Sequence, residues 1–148
     1  MVIVATILLF GMLIISTYVN KKIPESISEI AYIFPKWLFS ILIMFLGILI
    51  MPPILSVINV HFQWLVFFIV AGLWCVASSP FYKSENIFMH YGGAILCFIS
   101  ALAIIVLLNP KILFIWLIYP LCLIKKIRKW WLMIAECLCF LSLMFVLI

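Results

Sequence analysis

Six long apolar runs alternate with short polar stretches along the whole chain, and five of the runs carry no formal charge while the last carries only Glu136. A helix needs about 20 apolar residues to cross the roughly 30 Å hydrocarbon core of a bilayer. The pattern therefore predicts an all-α, polytopic bundle of six transmembrane helices. The predicted spans are 2–19, 37–58, 62–80, 87–108, 110–126 and 130–148.

The apolar run 37–82 is too long for one helix and must fold back on itself. Its most polar stretch is 59–63, which we interpret as the loop between the second and third spans. Pro52 and Pro53 lie inside the second span. Because proline removes a backbone donor and clashes with the preceding turn, we expect a kink at this point and not a turn.

The fifth run leaves two interpretations open, a re-entrant hairpin or a true span. Its uncharged part, 112–124, is short for a crossing helix. Extended to 110–126 it reaches the lower limit of length, and the lysines at its two ends can reach the interfaces with their long side chains.

Charge placement favours the true span. With six spans, the second and fourth loops carry only Lys111. The other eight basic residues all fall in loops one, three and five: Lys21, Lys22, Lys36, Lys83, Lys125, Lys126, Arg128 and Lys129. Cytoplasmic loops are rich in lysine and arginine, so this topology places both termini outside the cytoplasm. If the fifth run did not cross, the basic cluster at 125–129 would move to the outside.

The first loop has a helical pattern of its own. Ile23, Ile27, Ile30 and Phe34 recur at helical spacing, and Pro24 suits the first position of a helix. We predict a short interfacial helix over 24–34, lying on the cytoplasmic leaflet. The alternative is an ordinary loop.

Composition excludes a soluble protein. The chain has 148 residues, of which 70% are hydrophobic and 9% charged, and its mean hydropathy is +1.48. A soluble domain of this size cannot bury so much apolar surface. We therefore expect residues 1–148 to form a single transmembrane domain. The first run lacks a basic leading segment and a small-residue cleavage site, which argues against a signal peptide.

Glu136 is the only acidic residue within a predicted span, and His90 begins the fourth span at the same predicted side of the membrane. An ionisable group in the hydrocarbon region is costly and marks a candidate functional site. We predict that Glu136 and His90 form a polar cluster in the inner leaflet, close enough to interact directly or through a water. The alternative is that each one reaches the interface or caps a neighbouring backbone group.

A second candidate site is the basic cluster that precedes Trp130 and Trp131. It comprises Lys125, Lys126, Arg128 and Lys129. Such a cluster can contact anionic lipid headgroups or a polyanionic ligand. The alternative is a topology determinant beside an aromatic belt. Four charges on a five-residue loop give weak support for nucleic-acid binding.

The remaining motifs indicate packing more than chemistry. The five cysteines form no CxxC motif and lie in apolar runs, which predicts free thiols, no disulfide framework and no metal site. No phosphate-binding or dinucleotide-binding motif occurs, so no cofactor is expected. Gly93, Cys97 and Ala101 form a small-residue stripe that permits close helix approach in lipid, and Ala71 and Cys75 form another on the third span.

The chain resembles the bacterial branch of the Frag/DRAM-type six-helix membrane proteins, a family of unknown function. The resemblance rests on three short pieces: the segment 23–28, Ala71-Gly72 with Pro80, and His90-Tyr91 with Ala94. The second span departs from the family pattern, because it ends in Met51-Pro52-Pro53. The resemblance implies six helices and a membrane location, which would be the bacterial inner membrane. It implies no activity.

Three functions remain open at this point. The first is a non-enzymatic effector, regulator or complex subunit whose helices pack with a second copy or with another membrane protein. The second is a lipid-binding or lipid-modifying protein that uses the His90 and Glu136 cluster. The third is a small transporter or channel, which the scarcity of ionisable groups in the spans disfavours.

Overall fold

The structure, a computed structural model, describes residues 1–82, 86–123 and 128–147. The secondary structure of these residues is entirely helical, which confirms the predicted all-α class. The α-helices are α1 (Val2–Asn20), α2 (Ile30–Ile33), α3 (Lys36–Val57), α4 (Trp64–Ser78), α5 (Asn86–Leu108) and α6 (Trp131–Val146). The 3₁₀ segments are Ile27–Glu29, Val60–Phe62, Ser79–Phe81, Pro110–Leu123 and Arg128–Trp130.

Four helical stretches are long and apolar enough to cross a membrane: Val2–Asn20, Lys36–Val57, Val60–Phe81 and Phe88–Leu108. They match the first four predicted spans. Their outward surfaces are apolar, as Ile7 on α1 and Ile99 on α5 illustrate with 66% and 63% exposure. Exposed aliphatic surface of this extent is compatible with lipid as the solvent and indicates a membrane location.

The breaks between these helices have local causes. Lys21 ends α1 in the left-handed backbone region, with φ 53°. After α3, the Asn59 side chain accepts a hydrogen bond from the His61 backbone and starts a 3₁₀ turn, which confirms the predicted loop at 59–63. Pro52 and Pro53 both lie within α3, so the chain does not turn there, as expected.

The last third of the chain differs in form from the expectation. The predicted fifth span is a 3₁₀ segment from Pro110 to Leu123, and residues 124–126 of that prediction lie outside the described residues. Its Trp116 indole donates to Ser142 Oγ of α6 at 3.2 Å, and the Trp116 ring meets Phe98 of α5 edge to face. The sixth predicted span contains α6, which has 16 residues and is shorter than the four stretches named above.

A close contact joins α4 and α5 at two glycines. A Cβ atom on Gly93 would lie 2.5 Å from the Cys75 Cβ and 2.7 Å from the Gly72 carbonyl oxygen. A Cβ atom on Gly72 would meet the Gly93 carbonyl oxygen at 2.5 Å. The predicted stripe on α5 is therefore at a helix interface. On α4 the contact uses Gly72 with Cys75, whereas Ala71 is exposed, so the prediction for Ala71 was wrong.

The predicted short helix after the first span is confirmed. It consists of the 3₁₀ segment Ile27–Glu29 and α2, and begins three residues later than expected. Ile30 and Ala31 are buried in a small core with Met12, Phe39 and Ala77. This packing holds the segment against α1, α3 and α4 at one end of the bundle.

Candidate functional site

Four helix ends and the segment after α1 meet around a cavity of about 410 Å³, which we call the polar cavity. Its walls come from the segment after α1, the start of α3, the end of α4, and the starts of α5 and α6. These ends are the ones that the predicted topology places on one side of the membrane. The polar cavity is lined by Glu25, Ser26, Ser28, Glu29, Ala31, Tyr32, Phe39, Ser79, Pro80, His90, Tyr91, Lys129, Trp131 and Leu132.

The acidic wall of the polar cavity is built by local helix capping. Ser26 is extended and its hydroxyl accepts a hydrogen bond from the Glu29 backbone N–H at 3.2 Å. The Glu29 carboxylate in turn accepts a hydrogen bond from the Glu25 backbone N–H. Ser-x-x-Glu is the sequence of a capping box, in which the two side chains satisfy backbone donors at the start of a helix. The capping thus fixes both Ser26 and Glu29 at the cavity wall.

Glu136 joins this wall to α6. Its Oε2 accepts a hydrogen bond from the Ile27 backbone N–H at 2.6 Å, across 109 residues of sequence. Beside it, the Met133 backbone N–H donates to the Glu25 carbonyl at 3.2 Å. Glu136 therefore caps the 3₁₀ segment Ile27–Glu29, which is one of the two interpretations open for this residue.

His90 has a different partner. Its Nδ1 lies 3.2 Å from the Ser79 hydroxyl, and that hydroxyl lies 2.8 Å from the Val76 carbonyl. The hydroxyl has one proton, and we assign it to the shorter contact with the carbonyl, so that Nδ1–H donates to Ser79. The imidazole Nε2 then remains an acceptor. A histidine activates a serine by accepting the proton of its hydroxyl. Here the imidazole donates to Ser79, so His90 does not activate Ser79 as a nucleophile.

A second, smaller cavity of about 130 Å³ lies beside it in the bundle, and we call it the apolar cavity. Both Glu136 and His90 line it, so the structure brings the predicted cluster to one cavity although each group bonds to another partner. Ser28, Phe39 and His90 belong to the walls of both cavities. The remaining apolar lining comes from Leu9, Ile27, Ile43, Leu46, Ile50, Ile69, Leu73, Val76, Ala94, Cys97, Phe98, Ala101, Cys139, Phe140 and Leu143.

The predicted basic cluster is described only in part. Lys125 and Lys126 lie outside the described residues, and Arg128 starts the 3₁₀ turn Arg128–Trp130. Lys129 lines the polar cavity, and its ammonium lies 4.2 Å from the centre of the Trp130 ring. On the other side of the cavity, Lys22 pairs with Glu25 at 3.4 Å on the exposed surface.

The donor set of the site suits hydrogen bonding and charge recognition. Among the described residues, no group of three or more His, Cys, Asp or Glu side chains is placed to hold a metal ion. Cys75, Cys97, Cys137 and Cys139 are free thiols. The polar cavity offers carboxylates, hydroxyls, an imidazole and one ammonium, while the apolar cavity offers almost only hydrocarbon surface.

Most residues of the polar cavity carried no site prediction, among them Glu25, Ser26, Ser28 and Glu29. The signal that could have identified two of them is Ser26-x-x-Glu29, which marks the start of a helix. Their position beside His90 depends on the long-range bond between Glu136 and Ile27, which no local pattern reveals.

No protein-family model, curated protein or solved structure matches this chain.

Proposed function

We propose that this protein is a small integral membrane protein that binds an amphiphilic molecule of the membrane, without catalysing a reaction on it. The observation that carries the proposal is the shared wall of the two cavities. Ser28, Phe39 and His90 separate a space lined with polar groups from a space lined with apolar ones. A molecule with a polar head and an apolar chain matches this division.

The dimensions support the same occupant. The polar cavity, at about 410 Å³, falls in the range of roughly 300–1,000 Å³ that is common for small-molecule sites. The apolar cavity follows α3 from Phe39 to Ile50, which corresponds to roughly 16 Å along the helix axis. This is about half of the roughly 30 Å hydrocarbon core, the depth of one leaflet.

The geometry favours binding over chemistry. Ser79 is the nucleophile candidate nearest to His90, yet it is buried and its hydroxyl is directed to the Val76 carbonyl. A bound amphiphile would suit a non-enzymatic effector, regulator or complex subunit, in which ligand occupancy changes how the bundle packs with a partner or a second copy.

We further propose that the bundle crosses the membrane six times, with the polar cavity at the cytoplasmic side. A 3₁₀ helix rises about 2.0 Å per residue, so the 14 residues of Pro110–Leu123 reach roughly 28 Å. The segment is thus long enough to cross, despite its low residue count. With six crossings, eight of the nine basic residues face one side. The resemblance to the Frag/DRAM-type family, and with it a bacterial inner-membrane location, is part of this proposal.

Native mass spectrometry of the purified protein tests amphiphile binding. We expect wild-type protein to carry a co-purifying amphiphile, and Ala94→Phe to lose most of it because the added ring fills the apolar cavity. Ala94→Leu should retain an intermediate amount.

Ile95→Phe is the matched control, since Ile95 is the next residue on α5 and is 57% exposed. It adds an aromatic ring on the outer surface and should leave the bound amphiphile unchanged. Equal occupancy in the Ala94→Phe and Ile95→Phe proteins, or a wild-type protein without any bound amphiphile, would refute the proposal.

A further inference from the structure

The apolar cavity is narrow enough to restrict the shape of the ligand. An engineered cavity of about 150 Å³ in another protein binds a single benzene molecule. The apolar cavity here measures about 130 Å³, which accommodates part of one hydrocarbon chain and not two side by side. The ligand therefore has one chain in this space.

The charges around the two cavities indicate the sign of the headgroup. Glu29 lines the polar cavity and Glu136 lines the apolar cavity, and each accepts one backbone hydrogen bond. Neither carboxylate forms an ion pair with a described basic side chain. A carboxylate without a basic partner attracts a positively charged group, and the attraction increases where the site is shielded from water.

The two lysines near the polar cavity do not pair with Glu29 or Glu136. Lys22 pairs with Glu25 on the exposed surface, and the ammonium of Lys129 lies over the Trp130 ring. The described side chains that line the two cavities include three carboxylates, those of Glu25, Glu29 and Glu136, and one ammonium, that of Lys129, so their formal charge is negative.

Aromatic side chains complete the polar cavity. Tyr32, Tyr91 and Trp131 line it and are each more than half exposed, so their ring surfaces are available to a ligand. Aromatic faces attract ammonium groups, and cages of aromatic rings recognise quaternary ammonium ligands. Carboxylates and aromatic rings together favour a cationic nitrogen.

We propose that the ligand is a single-chain amphiphile with an amine or quaternary ammonium headgroup. Its nitrogen lies in the polar cavity near Glu29 and the aromatic rings, and its chain enters the apolar cavity past Phe39 and His90. This inference rests on the proposed function and specifies the chemical class of the ligand.

The test compares probes that share one chain and differ in the head. Full-length protein in phosphatidylcholine nanodiscs is titrated with dodecylamine, dodecyltrimethylammonium and dodecyl sulfate, and binding is followed by tryptophan fluorescence and native mass spectrometry. Both cationic probes should bind at least roughly tenfold more tightly than the sulfate, a difference of about 1.4 kcal/mol.

Two charge variants give opposite expectations. Glu29→Gln keeps an oxygen acceptor for the Glu25 N–H but removes the charge, so it should weaken both cationic probes by roughly tenfold and leave the sulfate unchanged. Lys129→Gln should leave the cationic probes equally tight or tighter. Ala94→Phe should weaken every probe, which locates the binding in the cavities.

The outcomes separate this inference from the proposed function. Equal binding of cationic and anionic probes, or a Glu29→Gln protein that binds the cationic probes normally, overturns the headgroup assignment while amphiphile binding stands. A wild-type protein that carries a native amphiphile but binds none of the probes also overturns only the headgroup assignment. If neither the native amphiphile nor any probe binds, both proposals fail.

Discussion

At the residue scale, Glu136 shows how the polar cavity is held together. Among the described residues, its carboxylate makes the only side-chain hydrogen bond between α6 and the segment 24–29. The bond satisfies the Ile27 N–H at the start of a 3₁₀ turn, where backbone donors have no partner within the helix. Glu136 therefore positions the acidic wall of the cavity in addition to lining the apolar cavity.

We expect Glu136→Ala to destabilise the protein by about 1–3 kcal/mol, because the Ile27 N–H would lose its acceptor in a partly buried site. Glu136→Gln should cost less than about 1 kcal/mol, since the amide oxygen can still accept. Thermal unfolding in detergent measures the difference. Hydrogen exchange of the Ile27 amide should accelerate in the alanine variant alone. Equal losses in the two variants would show that the charge, and not the hydrogen bond, stabilises the segment.

The sequence reached only part of this site. The shared depth of Glu136 and His90 predicted that they face the bundle interior, close enough to interact directly or through a water, and both line the apolar cavity. Their bonding partners are the Ile27 backbone and the Ser79 hydroxyl. The depth of an ionisable residue in a span indicates that it needs a polar partner. Which group becomes that partner depends on the geometry of the loops, and hydrophobic periodicity does not predict loop geometry.

At the element scale, helix positions were easier to predict than helix faces. The bounds of α1, α3, α4 and α5 agree with the predicted spans to within about two residues. At α4, 3₁₀ turns on both sides of the α-helix complete the predicted span. The buried faces were harder, because lipid-facing and core-facing residues are equally apolar in these helices. Ala71 and Gly72 illustrate this point, since both are small neighbours of Cys75 in the helix, and only Gly72 lies against α5.

The contact between α4 and α5 predicts a sharp difference between neighbouring glycines. Gly93→Ala should destabilise the protein by roughly 1–3 kcal/mol, because the new methyl group would overlap the Cys75 Cβ and the Gly72 carbonyl oxygen. Gly92→Ala is the matched control, since a Cβ atom there meets nothing within 4 Å. It should be neutral or slightly stabilising, because alanine favours helices over glycine.

This prediction is tested by comparing the unfolding midpoints of the Gly93→Ala and Gly92→Ala proteins in the same detergent. A Gly93→Ala protein as stable as the Gly92→Ala protein would mean that α4 and α5 separate at little cost, and that close glycine packing does not hold this side of the bundle.

At the scale of the whole molecule, the cavities, the basic residues and the helix ends are arranged along one axis. The polar cavity is lined by the segment after α1, the end of α4 and the starts of α3, α5 and α6. The loops at those ends contain eight of the nine basic residues of the chain. Because α5 and α6 both start at this end, the chain must return to it after α5. In the proposed six-crossing topology the 3₁₀ segment Pro110–Leu123 makes that return.

The six-crossing topology predicts which positions a membrane-impermeant thiol reagent can reach. In a background that lacks the five native cysteines, Lys22→Cys and Lys129→Cys should react only after the cells are lysed. Val60→Cys and Lys111→Cys should react in intact cells, since both positions are exposed and lie at the opposite end of the helices. Lys111 and Lys129 flank the segment Pro110–Leu123, so their contrast isolates its crossing from that of the other helices. Identical labelling at these two positions would show that the segment does not cross, and labelling of Lys22→Cys in intact cells would reverse the proposed orientation.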